Sequence, residues 1–398
     1  MRSVLITNAS EVVLPEREGR GIIRHPGWEV WIDRGFVAWV GPAGDRPTTP
    51  SDPEIIDADG GAVLPALVDA HTHLVFAGDR IEDFSARAHG ATYAEIAARG
   101  GGILTTVKAT RAATTGELIA SARARLDARA RYGIGTTEVK SGYGLVAEHE
   151  LRMLEVIRAL KDEGYDLEAT LLAAHAVPRD VPREAYLASI LDVMIPEAAS
   201  RRLCRFVDVF VETGAYTIDE AKQIFARARE HGLIARLHAD QLTAGGGAGL
   251  AAEVEAASAD HLEHASDADL AAMARGNVVG VLLPAAMAFL GHSAKDLGAR
   301  ARAKNVELCV ATDTNPGSSP IQNLPLCATL AVTTMGLHVE EAIRAITWGG
   351  ARALRREDIG TLEVGALGRA IILDHADPRA LIYAYGEPII RRLVDATV

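Results

Sequence analysis

The middle of the chain alternates short apolar runs with longer segments rich in Ala, Arg and Glu. The apolar runs have the length of buried strands, and the segments between them have the composition of surface helices. Eight parallel strands alternating with helices predict a closed (β/α)8 barrel of the TIM type. The eight runs are Val63–His71, Gly135–Lys140, Leu167–His175, Phe206–Glu212, Ile234–His238, Ala257–His261, Val278–Leu283 and Glu307–Asp313.

The two ends of the chain have a different pattern, in which short apolar segments are separated by turn residues. The tripeptide from Asp33 to Gly35 lies between two such segments and is a hairpin signal. The segments that predict strands are Glu29–Ile32, Phe36–Val40, Ala370–Asp374 and Leu381–Tyr385. We therefore predict one small discontinuous β-sandwich domain from residues 1–62 and 362–398, and a barrel domain from residues 63–361.

One connection is longer than a simple crossover helix requires. Residues 75–131 follow the first barrel strand and contain a glycine triplet, Gly100–Gly102, which resembles a hinge. Long connections inside compact domains are often functional. We therefore predict an active-site loop within this segment.

Composition and charge narrow the class of protein. The 398 residues are 48% hydrophobic and 24% charged, which is globular composition and excludes a disordered, collagen-like or coiled-coil chain. The net charge of −12 disfavours binding to nucleic acid or to an anionic membrane. A local basic site for a small acidic substrate remains compatible with this balance.

Cysteine usage and the longest apolar run bear on where the protein works. The cysteines, at positions 204, 309 and 327, form no CxxC pair, which argues against a disulfide framework or a thiolate metal site. The longest apolar stretch, Val278–Leu290, contains Pro284 and is shorter than the roughly 18 residues of a membrane span. The N-terminal apolar run is too short for a signal peptide. We expect a cytoplasmic protein, with a homodimer as the default oligomer.

Polar residues end most of the apolar runs. Seven of the eight runs end in, or are followed at once by, His, Asp, Glu or Lys. The C-terminal ends of the strands form the active face of a (β/α)8 barrel. The residues expected to converge there are His71, His73, Lys140, His175, Glu212, His238, His261 and Asp313.

Four of these residues form a candidate metal site. His71 and His73 are two positions apart on an extended strand, so their side chains point to the same face. With His238 and Asp313 they make three imidazoles and one carboxylate, a set that suits zinc or ferrous iron with a position open for water. Core histidines and a capping aspartate are the alternative for any one of them. We predict one divalent metal ion.

Longer motifs surround these positions, and together they resemble a known family. The chain is similar over nearly its whole length to the imidazolonepropionases of the amidohydrolase superfamily. The HxH pair marks the superfamily, whereas Lys140–Gly144 and Asp313–Ser319 point to this family within it. The segments that carry the resemblance are Asp69–Gly78, Ala98–Thr106, Val139–Leu145, Ala174–Pro178, His238–Leu242, Ser258–Leu262 and Ala311–Pro320.

The resemblance implies a role for each site residue. A single metal ion would be held by His71, His73, His238 and Asp313, while His261 would face the reacting water without binding the metal. Gln241 stands at a position that contacts substrate and is Glu in some relatives. The other residues implied to contact substrate or product are Arg80, Tyr143, His175, Asn315, Gly317 and Ser318.

The same residues suit hydrolysis of a cyclic amide. A bound metal would activate water for attack on a ring carbonyl, and Asp313 could take its proton and pass it to the leaving nitrogen. His261 could orient the water or stabilise the oxyanion, with Gln241 beside the reacting groups. Arg80 offers a planar fork for a carboxylate and Tyr143 offers a hydroxyl. The resemblance implies 4-imidazolone-5-propanoate as substrate and N-formimidoyl-L-glutamate as product, a step of histidine degradation.

Three other interpretations stay open at this point. A deaminase of a cyclic amidine or nucleobase shares the HxH pair but typically has a proton-shuttling Glu where this chain has Gln241. A non-catalytic barrel serving in binding or assembly usually loses metal ligands, which are all present here. Lys140 could be carbamylated and bridge two metals, although relatives with a bridging lysine have it after strand four, where this chain has Val211 and Glu212.

Overall fold

A computed structural model describes residues 3–48, 52–92, 95, 99–179 and 181–397. Each of the strands it describes belongs to a central parallel sheet or to one of two smaller sheets near the chain ends. The strands are β1 Val4–Thr7, β2 Glu11–Pro15, β3 Ile22–Pro26, β4 Trp28–Asp33, β5 Phe36–Pro42, β6 Glu54–Asp57, β7 Val63–Pro65, β8 Leu67–Asp69, β9 Ile134–Lys140, β10 Asp166–Ala174, β11 Phe206–Val211, β12 Ile234–Ala239, β13 Ser258–His261, β14 Val279–Leu282, β15 Leu308–Val310, β16 Arg369–Leu373 and β17 Ile390–Asp395.

Helices connect the strands of the central sheet. A π-helical turn, Ile190–Met194, joins α5 to α6. The helices are α1 Ile81–Ala88, α2 Ile103–Ala112, α3 Thr115–Ala130, α4 Ala147–Asp162, α5 Arg183–Ser189, α6 Ile195–Ser200, α7 Ile218–Glu230, α8 Gly247–Glu253, α9 Asp267–Arg275, α10 Pro284–Leu290, α11 Leu297–Ala303, α12 Leu324–Met335, α13 Val339–Ala345, α14 Trp348–Ala353 and α15 Ala380–Tyr383.

Local sequence explains where several helices begin. Thr114 and Thr217 cap α3 and α7, and each forms a reciprocal capping box with a glutamate three residues later. Such a box satisfies backbone N–H groups that have no partner in the first turn of a helix. The caps therefore define the residue at which each of these helices begins.

The central sheet is the predicted eight-stranded barrel. Its strands run in the order β8 to β15, with each neighbouring pair parallel. These strands are almost entirely buried because helices cover the sheet. Strands that are buried on both faces have nearly continuous apolar sequences, as the runs in this chain do. The prediction of a (β/α)8 barrel is confirmed.

The first predicted barrel strand is shared between two sheets. β7 pairs with β16 and β2, whereas β8 pairs with β9 in the barrel. Ala66, between them, donates its backbone N–H to the carbonyl of Arg369 at 3.1 Å. The chain therefore leaves the small sheets and enters the barrel within one extended segment, and the predicted single strand Val63–His71 is too long.

The remaining strands form two sheets that pack as a sandwich built from both chain ends. One sheet has the order β5-β4-β1-β6 and the other has the order β17-β16-β7-β2-β3. Alternate residues from both sheets form one hydrophobic cluster, as expected when each strand turns one face inward. The cluster includes Val4, Ile6, Val30, Ile32, Ile56, Val63, Ile372 and Val394. The hairpin prediction at β4 and β5 is confirmed by their antiparallel pairing.

The predicted strand Leu381–Tyr385 is wrong. Residues 380–383 form the short helix α15, with Leu381 and Ile382 buried side by side and Tyr383 exposed. Asp377 begins the turn by accepting the backbone N–H of Arg379 at 3.0 Å. Asp followed by Pro is a helix-start signal, which outweighs the β propensity of this short segment. The last strand of the chain is instead β17.

The long segment after β8 contains α1, α2 and α3. Residues 93, 94 and 96–98 of this segment lie outside the described residues, and so does Ala98 of the family-like motif. In the part that is described, Gly102 precedes α2 with a φ of 77°, a left-handed value that favours glycine. The prediction of an active-site loop stays a prediction. No helix in the described part of the chain is long and apolar enough to cross a membrane.

Candidate active site

The barrel closes at the predicted metal-binding strands. The backbone N–H of Asp313 donates to the carbonyl of His71 at 3.0 Å, and the N–H of His73 donates to the carbonyl of Thr314 at 2.9 Å. These bonds join the segments that follow β8 and β15, where Thr72 and Thr314 form a parallel bridge. His71 and Asp313 are far apart in the sequence but lie side by side, because the segments that follow the first and last barrel strands are neighbours.

Asp69, at the end of β8, also links the first and last strands of the barrel. Its carboxylate accepts the backbone N–H of Thr312 at 3.1 Å and the Thr312 hydroxyl at 2.6 Å. Arg129 of α3 forms a buried ion pair with the same carboxylate. Because an unpaired buried charge is costly, Asp69 can stabilise the seam between these strands only while Arg129 neutralises its charge.

The predicted metal ligands meet in one small buried volume. Asp313 Oδ1 lies 3.3 Å from His73 Nε2 and 3.5 Å from His71 Nε2. His238 Nε2 lies 3.4 Å from His73 Nε2. All four side chains are buried. The structure therefore brings together the whole predicted ligand set.

The unsatisfied atoms of this cluster fit a cation. His71 Nε2 and Asp313 Oδ1 are buried and have no good hydrogen-bond partner among the described residues. Imidazole nitrogens and a carboxylate oxygen that face one another at 3.3–3.5 Å carry lone pairs that repel unless a proton or a metal lies between them. Zinc and ferrous iron accept these donor types.

Two aspartates bind the Nδ1 atoms of His71 and His238, on the side of each ring that faces away from the cluster. Asp260 Oδ2 lies 2.6 Å from His71 Nδ1, and Asp208 Oδ1 lies 2.9 Å from His238 Nδ1. A ring nitrogen that donates to a carboxylate leaves the other nitrogen free as a lone-pair donor. The aspartates thus set both Nε2 atoms toward the centre of the cluster.

The aspartates in turn belong to a buried ionic network that uses Lys140. Lys140 Nζ lies 2.7 Å from Asp208 Oδ2 and 3.0 Å from Glu138 Oε1, while Arg236 lies 3.2 Å from Asp260 Oδ2. Burial acts against the charged form, but Asp208 and Glu138 outweigh it and raise the pKa of Lys140. A charged amine engaged by two carboxylates does not favour carbamylation.

The sequence pattern did not single out four supporting residues, Asp208, Asp260, Glu138 and Arg236. Each is a charged residue inside one of the predicted barrel strands, and that position was the available signal. A fully buried charge needs a partner, so two or more such strands predict an ionic network at the centre of the barrel.

His261 lies beside the ligand cluster. Its ring centroid is 5.4 Å from that of His238 and 5.9 Å from that of His71, and its Nδ1 is 3.4 Å from Glu263 Oε1. A ligand atom of His261 lies within 4.8 Å of ligand atoms of His71 and His238. The geometry places His261 close enough to act on a water in the cluster.

Arg80 packs against the turn that follows Asp313. Its guanidinium lies over Gly317, where an added Cβ would stand 2.3 Å from Arg80 Nη2. Asp83 lies 3.4 Å from Nη1, and Nε is buried with no hydrogen-bond partner among the described residues. The cation therefore lies against the turn that follows Asp313 and keeps at least one donor without a partner among the described residues.

Tyr143 and His175 form an aromatic wall next to His73. The His175 ring stacks on that of His73 with centroids 5.0 Å apart, and the Tyr143 ring lies 5.5 Å from His175. Burial and the nearby imidazoles hold the pKa of His175 well below its usual range. Burial also raises the pKa of the Tyr143 hydroxyl. Both groups are neutral at physiological pH.

Asn315 organises the turn that carries Gly317 and Ser318. Its Oδ1 accepts the backbone N–H groups of both residues at 2.8 Å, and its Nδ2 donates to the Asp313 carbonyl at 2.7 Å. Most of its hydrogen-bonding capacity is thus used inside the turn. Its predicted contact with substrate or product stays a prediction, as does that of Ser318.

Gln241 follows β12 and is half-buried. The loop after it is held by Glu212, whose Oε2 accepts the backbone N–H groups of Leu242 at 2.8 Å and Thr243 at 3.2 Å. Glu212 therefore supports the loop through these backbone contacts. The contact predicted between Gln241 and substrate stays a prediction.

A cavity of about 320 Å3 lies at the opposite end of the barrel. It is lined by the N-terminal ends of β9 and β10, by the C-terminal end of α3 and by β17. Asp166, one of its acidic residues, is already paired with Arg356 and Arg369. The cluster of predicted metal ligands is at the C-terminal ends of the strands, where active sites of such barrels are found.

Comparison with known proteins shows the family of the chain. Residues 62–395 match the amidohydrolase family. The chain is 42% identical to an imidazolonepropionase of Myxococcus xanthus over 99% of this chain and 96% of that protein. It is also 42% identical to an imidazolonepropionase of Geobacillus kaustophilus, over 96% of this chain and 91% of that one.

Solved structures share the fold at low sequence identity. A 5-methylcytosine deaminase from Klebsiella pneumoniae superposes with a TM-score of 0.74 at 15% identity, covering 98% of this chain and 95% of that one. A guanine deaminase from C. acetobutylicum gives 0.72 at 12% identity and covers 98% of both chains. These similarities concern the fold alone. The family match and the full-length relatives establish that this chain belongs to the amidohydrolase family and, within it, to the imidazolonepropionases.

Proposed function

We propose that this chain hydrolyses the ring amide of 4-imidazolone-5-propanoate to N-formimidoyl-L-glutamate, a step of histidine degradation. The observation that carries the proposal is the buried His/Asp cluster with Arg80 beside it on the same barrel face. A hydrolytic centre next to a carboxylate anchor suits a cyclic amide with an acidic side chain. Relatives named imidazolonepropionase, 42% identical over nearly the full chain, support the same substrate.

The amidohydrolase family is metal-dependent, and the cluster offers the residues to hold an ion. We propose one divalent ion, zinc or iron, held by His71, His73, His238 and Asp313. When bound, it lowers the pKa of a water and supplies a nucleophile near neutral pH. Asp208 and Asp260 keep the ring nitrogens of His238 and His71 aimed at it.

The buried charge supports a single ion. Around the cluster, two cations and four carboxylates leave a net charge of −2, which one divalent ion balances. A second divalent ion would leave an excess positive charge in a region where unbalanced charge is costly. The groups are Lys140, Arg236, Glu138, Asp208, Asp260 and Asp313.

Asp313 is suited to move the proton. Burial would raise the pKa of its carboxyl, but His71 and His73 outweigh burial and hold this pKa well below the usual range. Asp313 is therefore a carboxylate that can accept the proton of the attacking water. It can then donate that proton to the ring nitrogen that leaves when the amide C–N bond breaks. His261 would orient the water or stabilise the oxyanion, and Gln241 would assist at the same centre.

Arg80 is suited to bind the propanoate. Its guanidinium can form two parallel hydrogen bonds with a carboxylate. Its position against Gly317, on the turn that follows Asp313, supports this role. Tyr143 and His175 line the same mouth as neutral hydrogen-bonding groups, and Asn315 and Ser318 shape its edge.

Purified protein loaded with zinc or iron tests the proposal. We expect the absorbance of imidazolonepropionate to fall and N-formimidoyl-L-glutamate to appear, with one metal ion per chain by elemental analysis. Ammonia release from nucleobases under the same conditions would identify a deaminase instead. No turnover of either substrate class with full metal occupancy would contradict an amide hydrolase of this kind.

We also propose a homodimer that works in the cytoplasm. Cys204, Cys309 and Cys327 are free thiols, which is compatible with a reducing compartment. Light scattering coupled to gel filtration measures the oligomeric state. A monomer at micromolar concentration would contradict the dimer.

A further inference from the structure

The loop between β9 and α4 carries Tyr143 and is tied down by one buried carboxylate. Glu150 Oε2 accepts the backbone N–H of Gly142 at 2.8 Å. Glu150 Oε1 accepts those of Gly144 and Leu145, each at 2.7 Å. Three backbone donors on the two sides of Tyr143 thus converge on one side chain.

Glu150 serves this loop rather than the end of its own helix. The first residue before α4 is Val146, which offers no side-chain cap, whereas α3 and α7 are capped by an exposed threonine and glutamate pair. Glu150 is fully buried one turn into α4. Hydrogen bonds from three backbone N–H groups to a buried carboxylate are strong, so they hold both Glu150 and the loop that carries the donors.

The loop connects Glu150 to His175. The carbonyl of Gly142 accepts a hydrogen bond from His175 Nδ1 at 3.0 Å, which leaves His175 Nε2 as the acceptor facing the site. A Cβ at Gly142 would lie 2.8 Å from that Nδ1, and one at Gly144 would lie 2.4 Å from the Glu150 nitrogen. Both glycines therefore permit backbone approaches that any side chain would block.

We propose that Glu150 is a positioning residue of the substrate site, which holds Tyr143 and the tautomer of His175 through the loop Ser141–Leu145. The inference rests on the proposed function for the identity of the substrate, but the contacts that carry it do not depend on it. Glu150 touches neither substrate nor metal. Its effect passes through Gly142, Gly144 and the residue between them.

Glu150→Gln tests the inference with little change of shape. An amide has one accepting oxygen, so at least one of the three N–H groups loses its partner. We expect kcat/KM on imidazolonepropionate to fall about tenfold to a hundredfold, or about 1.4–2.8 kcal/mol, with metal content unchanged. The matched control is Glu341→Gln, a buried glutamate bound by Arg302 and the backbone of His338 far from the mouth. It should lose stability but keep kcat/KM.

A double-mutant cycle separates positioning from general destabilisation. If Glu150 acts through Tyr143, Glu150→Gln costs at least threefold less in kcat/KM in a Tyr143→Phe background than in the wild type. Effects that multiply in full would overturn the inference, because they would show that Glu150 and Tyr143 act independently.

Amide hydrogen exchange tests the loop even if the substrate is another compound. In Glu150→Gln we expect at least one of the amides of Gly142, Gly144 and Leu145 to exchange tenfold faster or more, and those of Glu341→Gln to match the wild type. Unchanged protection in Glu150→Gln would overturn the inference. Failure of the wild type to hydrolyse imidazolonepropionate would instead overturn the proposed function and leave this measurement valid.

Discussion

At the scale of single residues, the site depends on groups whose charge is set by their neighbours. Asp313 is a carboxylate because two imidazoles outweigh its burial, and His175 is neutral because burial and imidazoles act together. Arg80 keeps its Nε unpaired although most of its side chain is buried. The proposed function uses such groups for metal binding, proton transfer and anion binding.

Replacing Asp313 by Asn tests the proton-transfer role. Asn keeps an oxygen that can face the ion but cannot accept a proton. We expect kcat to fall at least about a hundredfold, the usual scale for a positioned acid–base group. Metal content, measured in the same preparations, should fall less than activity. Near-wild-type turnover by Asp313→Asn would assign proton transfer to another residue.

Replacing Arg80 tests the acidic substrate. Truncating one partner of a buried charged pair costs about 2–5 kcal/mol, so Arg80→Ala should lower kcat/KM about thirty- to several-thousand-fold. Arg80→Lys should recover only part, because an ammonium cannot form the two parallel bonds. Arg87→Ala is the control, since Arg87 lies in the last turn of α1, the helix that follows Arg80, and packs over Phe289. Equal kcat/KM for Arg80→Ala and wild type would mean that the carboxylate is held elsewhere.

At the scale of elements, the barrel seam and the turn after it decide the geometry of the mouth. The backbone bonds between residues 71–73 and 313–314 bring two ligand segments side by side. The turn then continues to Gly317, which packs beneath Arg80. One connected stretch of backbone therefore sets both the metal ligands and the proposed carboxylate anchor.

Gly317→Ala tests this link. The added Cβ would overlap the Arg80 guanidinium, which is the far end of a flexible side chain and can move aside. We expect kcat/KM to fall about tenfold or more, as for a displaced charged contact, while the melting temperature changes little. In an Arg80→Ala background the same substitution should have almost no further effect. A full additional loss there would show that Gly317 acts separately from Arg80.

At the scale of the whole molecule, protonation of a buried group in the barrel should make metal binding depend on pH. Burial disfavours a charged His71, but Asp260 and Asp313 on its two ring nitrogens raise its pKa to about 9 in the metal-free protein. His71 must be neutral to bind an ion, so binding below this pH releases a proton.

The affinity of the protein for zinc should therefore decrease as the pH is lowered. His71 is charged in the metal-free form below its pKa, so we expect the affinity to drop about tenfold per unit between pH 8 and pH 6 and to level off above about pH 9. Burial lowers the pKa of His73 and His238, which remain neutral in this range and add little. Competition with a chelator at several pH values measures the slope. A pH-independent affinity would contradict a protonated His71.

Several features were determined by the sequence alone because they are local. Strand-length apolar runs separated by helical segments predicted the barrel, and polar residues at their ends predicted where His71, His73, His238 and Asp313 would meet. Side-chain alternation in a strand and the active face of a barrel suffice for that inference. The segment 381–385 shows the limit, since its apolar residues suit a strand but Asp377 and Pro378 start a helix.

Only the tertiary structure decided which side chains support the site. Asp260 contacts His71 across 189 positions, and Asp208 contacts His238 across 30. Glu150 is only a few residues from Tyr143, yet its hydrogen bonds depend on how α4 packs against the loop. Contacts of this kind form only when strands and helices have taken their places, because the pattern along one strand does not specify the charge that faces it from another.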